Sequence, residues 1–173
     1  MSGWEMLVAT GCLVWFVQAS LLLRHISRLR AVVRLDVPEP SEWPTVSALI
    51  PARNEEATLQ AALTSRLGDD YTALQVIVID DRSTDSTRTV IARAAESDPR
   101  VVPAHVDGLP DGWLGKVHAL SVGVPYATGE WLPISDADVH MTPGGLRRAV
   151  AYCLAEDLDF LALVPEFRSH SFD

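Results

Sequence analysis

The pattern of apolar and polar positions divides the chain into two regions of different period. The 18 residues from Met6 to Leu23, MLVATGCLVWFVQASLLL, carry no formal charge, and Gln18 is the most polar of them. That is about the length of helix that crosses the hydrocarbon core of a bilayer. Trp4 stands at one end, where an interfacial aromatic belongs. Arg24, Arg28, Arg30 and Arg34 follow the run, and only Glu5 precedes it. The positive-inside rule then puts the N-terminus outside and the remaining chain in the cytoplasm. A cleaved signal peptide has its positive charge before the apolar core, the reverse of this order. A buried soluble helix is the other alternative, and the flanking arginines argue against it. The stretch DVPEPSEWPT, residues 36–45, is rich in proline and acid and reads as a linker.

Beyond Thr45 the apolar runs are short and alternate with helical spacing. VSALIPA from Val46 suits a buried parallel strand. Glu55 to Leu67 places Ala57, Leu59, Ala62, Leu63 and Leu67 at roughly helical spacing. LQVIVIDD from Leu74 is the clearest strand, dense in β-branched residues. A helix follows, with Ser83 or Asp85 as its cap and Val90, Ile91 and Ala94 on its apolar face. VVPAH around Val101 predicts a third strand, Lys116 to Tyr126 a helix and Trp131 to Ser135 a fourth strand. Pro143 to Glu156 predicts a last helix, and FLALV around Leu161 a last strand. The order is βαβαβαβαβ, an α/β chain with a mainly parallel sheet and helices on both faces.

Composition narrows the chemistry. A length of 173 residues suits one domain of ordinary size. A net charge of −9 argues against a nucleic-acid partner, whose phosphates need a basic surface. The two cysteines, Cys12 and Cys153, are too far apart in sequence and setting to suggest a disulfide framework.

In a parallel sheet the ligand crevice lies at the carboxyl ends of the strands. The first strand runs into Pro51-Ala52-Arg53-Asn54-Glu55, the second ends in Asp80-Asp81-Arg82-Ser83, and the fourth in Ser135-Asp136-Ala137-Asp138. Several carboxylates facing one crevice call for a cation, and Mg2+ or Mn2+ with oxygen ligands meets that need. Asp136 and Asp138, two apart on an extended segment, would face one ion together. Neither a Walker A loop nor G-x-G-x-x-G is present, which disfavours kinases, NTPases and dinucleotide-dependent oxidoreductases. The loop Pro51–Glu55 has a blander reading as a helix start with Asn54 as cap, and Asp80-Asp81 as part of a turn and cap cluster. His118 and His140 read as solvated or structural, and Cys153 as a small core residue.

Four stretches in order, ALIPARNEE, VIVIDDRSTDST, GWLGKVHAL and WLPISDADV, resemble family 2 glycosyltransferases of the GT-A fold over roughly Val46 to Val164. With the apolar segment before them, they look most like membrane-bound hopanoid- and carotenoid-associated glycosyltransferases. The resemblance implies a Rossmann-like nucleotide-diphospho-sugar domain over residues 46–173, after a transmembrane segment over 1–35. It implies that Pro51, Ala52, Arg53 and Glu55 touch the nucleotide, and that Asp81, with Asp80 beside it, recognises base or ribose. Lys116 would lie near the diphosphate, Asp138 on the metal, and Asp136 near the metal, ribose or sugar. The implied reaction moves a sugar from a nucleoside diphosphate, UDP by family expectation, to an acceptor hydroxyl, with inversion. A lipid acceptor and an inner-membrane location go with it. Relatives place their general base in an acidic motif beyond the fifth strand. Glu166 and Asp173 are the late carboxylates here, and neither stands in such a motif. The chain therefore reads as an N-terminal fragment or truncated product; a non-catalytic, membrane-tethered nucleotide-sugar-binding remnant is the alternative. A nucleotidyltransferase usually has a glycine-rich loop after the first strand, which ALIPARNEE lacks.

Overall fold

The computed structural model describes residues 2–26 and 36–166. The chain divides into two compact units, Met1–Leu35 and Asp36–Asp173. In the first, helix α1 spans Gly3–Ile26. A reciprocal capping box starts it: the Ser2 amide donates to Glu5 Oε2 at 2.8 Å, and the Glu5 amide to Ser2 Oγ at 3.3 Å. Gly3–Arg24 has a mean hydropathy of 2.0 and is long and apolar enough to cross a membrane. Trp4, Leu7, Leu13, Trp15 and Phe16 are exposed along it. Arg28, Arg30 and Arg34, which carry much of the orientation expectation, lie outside the described residues.

The second unit is built on three parallel strands in the order β1-β2-β3: β1 Val46–Ala52, β2 Leu74–Asp81 and β3 Val101–Val106. Four helices accompany them: α2 Leu59–Leu67, α3 Thr87–Ser97, α4 Gly115–Gly123 with a 3-10 turn at Val124–Tyr126, and α5 Gly145–Ala155. Side chains alternate across a strand, so the unbroken apolar run of β2 feeds two cores. Val76 and Val78 pack with Leu59 and Leu63 of α2, Ile91 of α3 and Val150 of α5. Ile77 and Ile79 pack with Leu49, Ala104, Val106 and Ala119 of α4. Helices therefore cover both faces. Ile77 and Ile79 are fully buried, each contributing about 1.5–3 kcal/mol.

The expected fourth strand at Trp131–Ser135 lies parallel beside β1, but only as two isolated bridges, Val46↔Trp131 and Leu49↔Ile134. Trp131 N donates to Thr45 O, Ser47 N to Trp131 O, Leu49 N to Pro133 O and Ser135 N to Leu49 O. The ladder breaks at residue 133, where proline has no N–H to give. The preceding Gly129 passes so close to β1 that a Cβ there would sit 2.5 Å from Ser47 N. This edge gives the spatial order 3-2-1-4, and in such sheets the ligand crevice lies where the order reverses, here beside β1.

Two expectations need correction. FLALV is not a strand: residues 159–166 have no regular structure, and Phe160 and Val164 are 81% and 71% exposed. No strand pairs with this segment among the described residues, and an apolar run without a partner strand forms no ladder. Helix α2 begins at Leu59 rather than Glu55, because residues 54–56 are engaged by another loop. Residues 36–45 also do more than connect. Arg147 stacks 4.3 Å from the Trp43 ring and pairs with Glu39, and Tyr71 Oη donates to Pro44 O at 2.6 Å.

Candidate functional site

The ends of β1 and β2 turn sharply, with Asn54 at φ 56° and Arg82 at φ 57°. Asparagine adopts this left-handed region readily; arginine does so at some cost, a strain that clusters at functional loops. The two loops cap each other. Asn54 N donates to Ser83 Oγ at 3.1 Å, Glu55 N to Thr87 Oγ1 at 2.8 Å and Glu56 N to Asp85 Oδ2 at 3.2 Å. In return Thr84 N donates to Asn54 Oδ1 at 2.9 Å and Ser86 N to Glu56 Oε2 at 2.8 Å. The expectation of Asn54 as a cap of its own helix is corrected: its side chain serves the neighbouring loop. The N-cap of α3 is Ser86 rather than the expected Ser83 or Asp85; Asp85, one residue before it, accepts the Thr87 amide and hydroxyl. The hydroxyl bond holds its carboxyl below the ordinary carboxylate value.

Strand alternation splits the Asp80-Asp81 pair. Asp80 closes the turn by accepting Ser83 N at 3.1 Å, with His105 Nδ1 of β3 3.8 Å from its other oxygen. Asp81 points to the opposite face, where Arg82 Nε donates to Oδ1 at 2.7 Å. Its Oδ2 faces Gly115: a Cβ on that glycine would lie 3.0 Å away. The start of α4 therefore comes directly onto Asp81. Both aspartates are buried, at 4% and 5% exposure.

The next residue, Lys116, forms an ion pair with Asp136. The segment around Asp136 is a turn rather than the expected extended strand, closed by Val139 N donating to Asp136 O at 3.3 Å. Ala137 is buried, and Asp136 and Asp138 on either side of it are exposed. No hydrogen bond or ion pair engages the Asp138 side chain among the described residues. Behind the turn lies Arg66 of α2, 3% exposed. Its Nη2 donates to Ser135 Oγ at 2.9 Å and to Asp136 O at 2.6 Å. Burial pushes this guanidinium down to about 10, against the pull of Asp138 and Asp136.

The contacts form one line: the Asn54 loop to Ser83, Asp81 to Gly115, Lys116 to Asp136, and Asp136 to Arg66. Pro51 and Ala52 are the last residues of β1. Arg53 is exposed, and Glu55 Oε2 is held by the Thr58 hydroxyl at 2.6 Å. Among the described residues no three His, Cys, Asp or Glu side chains are grouped to hold a metal by themselves. Sequence reasoning missed Arg66 and His105, and it named Arg82 within the second strand-end group without giving it a role. Arg66 was findable: it follows Leu59, Ala62 and Leu63 at i+7 on the buried stripe of α2, an apolar position occupied by a charge.

A parallel sheet covered on both faces, with acidic strand ends at the reversal of strand order, defines the GT-A, Rossmann-like class of sugar-nucleotide folds. The chain belongs to glycosyl transferase family 2, whose profile matches residues 47–172. A 4,4'-diaponeurosporenoate glycosyltransferase from Staphylococcus haemolyticus is 35% identical over 97 residues, covering 56% of this chain and 25% of that protein. Among solved structures, the mannosyltransferase PcManGT from Pyrobaculum calidifontis, in complex with GDP-Man and Mn2+, superposes with a TM-score of 0.61. It is 28% identical, covering 82% of this chain and 39% of that one. Staphylococcus aureus TarS 1–349 with UDP-GlcNAc gives a TM-score of 0.52 at 25% identity, covering 63% of this chain and 31% of that one. The chain thus spans a quarter to two fifths of the length of these proteins.

Proposed function

We propose that this chain is the nucleotide-sugar-binding portion of a membrane-anchored, inverting glycosyltransferase that acts on a lipid acceptor. The observation that carries the reading is the line of contacts from Asp81 through Lys116 to Asp136, at the strand ends of a family 2 domain. Asp81 is the acceptor for base or ribose; its buried, Arg82-held carboxylate is fixed before ligand arrives, which lowers the ordering cost of binding. The loop Pro51, Ala52, Arg53 and Glu55 borders the same nucleotide, with Asp80 fixing the turn beneath it. Lys116 neutralises the diphosphate as a mobile point charge. Its pair with Asp136 is solvent-exposed, and such pairs are worth about 0–1 kcal/mol, so phosphate readily displaces the carboxylate.

A divalent cation fits the donor set. Asp138 presents a carboxylate that no hydrogen bond or ion pair holds among the described residues, and Asp136 is freed when Lys116 turns to phosphate. Magnesium and manganese keep waters and take substrate phosphate as further ligands, so two protein carboxylates suffice. Bound there, the cation would stabilise charge on the departing nucleoside diphosphate. Support for Mn2+ comes from the PcManGT complex, and support for a lipid acceptor from the diaponeurosporenoate relative. Helix α1 would be the anchor, and the arginines after it support a cytoplasmic catalytic part at the inner membrane.

The test is calorimetric titration of the detergent-solubilised chain with UDP-GlcNAc and with GDP-Man, each with and without Mn2+. Saturable binding strengthened by Mn2+ is expected for one of them. A folded chain that binds neither would sink the reading.

A further inference from the structure

Arg66 is the only buried cation among the described residues. It occupies a position of α2 that a leucine would fill without charge, in line with Leu59, Ala62 and Leu63. Burying a charge costs several kcal/mol unless partners compensate it, and replacement by an apolar residue of similar volume is often neutral or stabilising. Packing therefore does not explain an arginine here. Its bonds do not complete the compensation either: Nη2 has two acceptors, while Nη1 is buried with none. Both acceptors, Ser135 Oγ and Asp136 O, belong to the turn that carries Asp136 and Asp138. The nearby carboxylates acting on the guanidinium are those same two.

We propose that Arg66 is a positioning residue for the metal and diphosphate end of the site, gripping the Ser135 hydroxyl and the Asp136 carbonyl from the core side so that both carboxylates face outward. Its remaining charge offsets the two carboxylates while no cation is bound. Lys116 holds Asp136 from the solvent side and is exchangeable; Arg66 holds the same residue's backbone from the buried side and stays. The proposal rests on the functional reading above, since it needs Asp136 and Asp138 to meet a cation.

The experiment measures UDP and GDP affinity of the full chain with and without Mn2+, for wild type, Arg66→Leu, Arg66→Lys and Ser135→Ala, alongside thermal melting. Residues that orient metal ligands from behind typically change metal affinity 10–100-fold, so Arg66→Leu is expected to lower the Mn2+-dependent affinity by about tenfold. Its metal-free nucleotide affinity and melting temperature should change little. Arg66→Lys keeps the charge without the fork and should recover part of the loss; Ser135→Ala, which removes one of two acceptors, should show a smaller loss. Equal losses with and without Mn2+, together with a lower melting temperature, would reveal a purely structural arginine and overturn the proposal. An unchanged Mn2+ effect in Arg66→Leu, where wild type shows one, overturns the role of Arg66 alone. Wild-type chain without Mn2+-dependent binding overturns the functional reading and this proposal with it. If Arg66→Leu does not fold, Arg66→Lys and Ser135→Ala decide, and unchanged Mn2+ dependence in both is the negative result.

Discussion

The two wings of the crevice are held by different forces. On one side, the Asn54–Thr58 and Ser83–Thr87 loops are laced by side chains that accept each other's backbone N–H groups. On the other, the Ser135–Asp138 turn is held between two cations, exposed Lys116 and buried Arg66. Short bonds from loop backbone to fixed side chains depend little on salt or on ligand. An exposed ion pair is weak and screened, and it gives way to a stronger anion. The laced wing suits a part of the ligand that must be met by a preformed surface, such as a nucleoside. The charged wing suits one that arrives with its own charge and cation, such as a diphosphate.

Four experiments test that contrast. The largest expected effect is that of Asp138→Asn, which removes the unengaged carboxylate. Ligand charge tunes metal affinity over orders of magnitude, so Mn2+-dependent nucleotide affinity should fall by roughly a hundredfold, with melting unchanged. An equal loss without Mn2+ would erase the difference between the wings. Next is Thr87→Val on the laced side. Thr87 is fully buried and accepts Glu55 N, and an orphaned buried donor costs about 1–3 kcal/mol. Denaturant unfolding should show that loss while the Mn2+ effect on binding persists; a stable variant would mean that the lacing is ornamental. Lys116→Gln should weaken diphosphate binding by about tenfold and flatten its salt dependence, because one charge-assisted contact is lost. A salt response as steep as wild type would remove Lys116 from the diphosphate.

The smallest effect is acid sensitivity of the laced wing. The Thr87 hydroxyl holds the Asp85 carboxyl below the usual carboxylate range. A depressed carboxylate contributes stability above its unfolded value and loses it as pH falls through the folded one. Loop protection, followed by amide exchange, should therefore weaken below about pH 4 in wild type, and this step should vanish in Asp85→Asn. An identical acid profile in both proteins would assign the sensitivity elsewhere.

Much of the frame was legible because it is local. The VIVI run of β2 has no period other than that of a strand buried on two faces, and α3 announces itself by Asp85 and the Ile91 stripe. The candidate residues at three strand ends follow from alternation of strand and helix alone. Elsewhere local rules misled. FLALV has strand composition but no neighbour, and strand propensity depends on what packs alongside. Asn54 is a good cap in sequence, and it caps a loop about 30 residues away. Asp80 and Asp81 look alike on paper, yet strand alternation sends one to the α3 side and the other to α4.

A long apolar helix, a parallel α/β order and a set of carboxylates at strand ends follow from spacing and side-chain type alone. Who meets whom follows from the folded chain: Gly115 against Asp81, Lys116 on Asp136, and Arg66 beneath the acidic turn. Those pairings span 20 to 70 residues of chain, and no local period encodes them. They arise because the sheet brings distant strand ends to one edge. There, burial makes an unpartnered charge costly, and exposure leaves a paired one free to exchange.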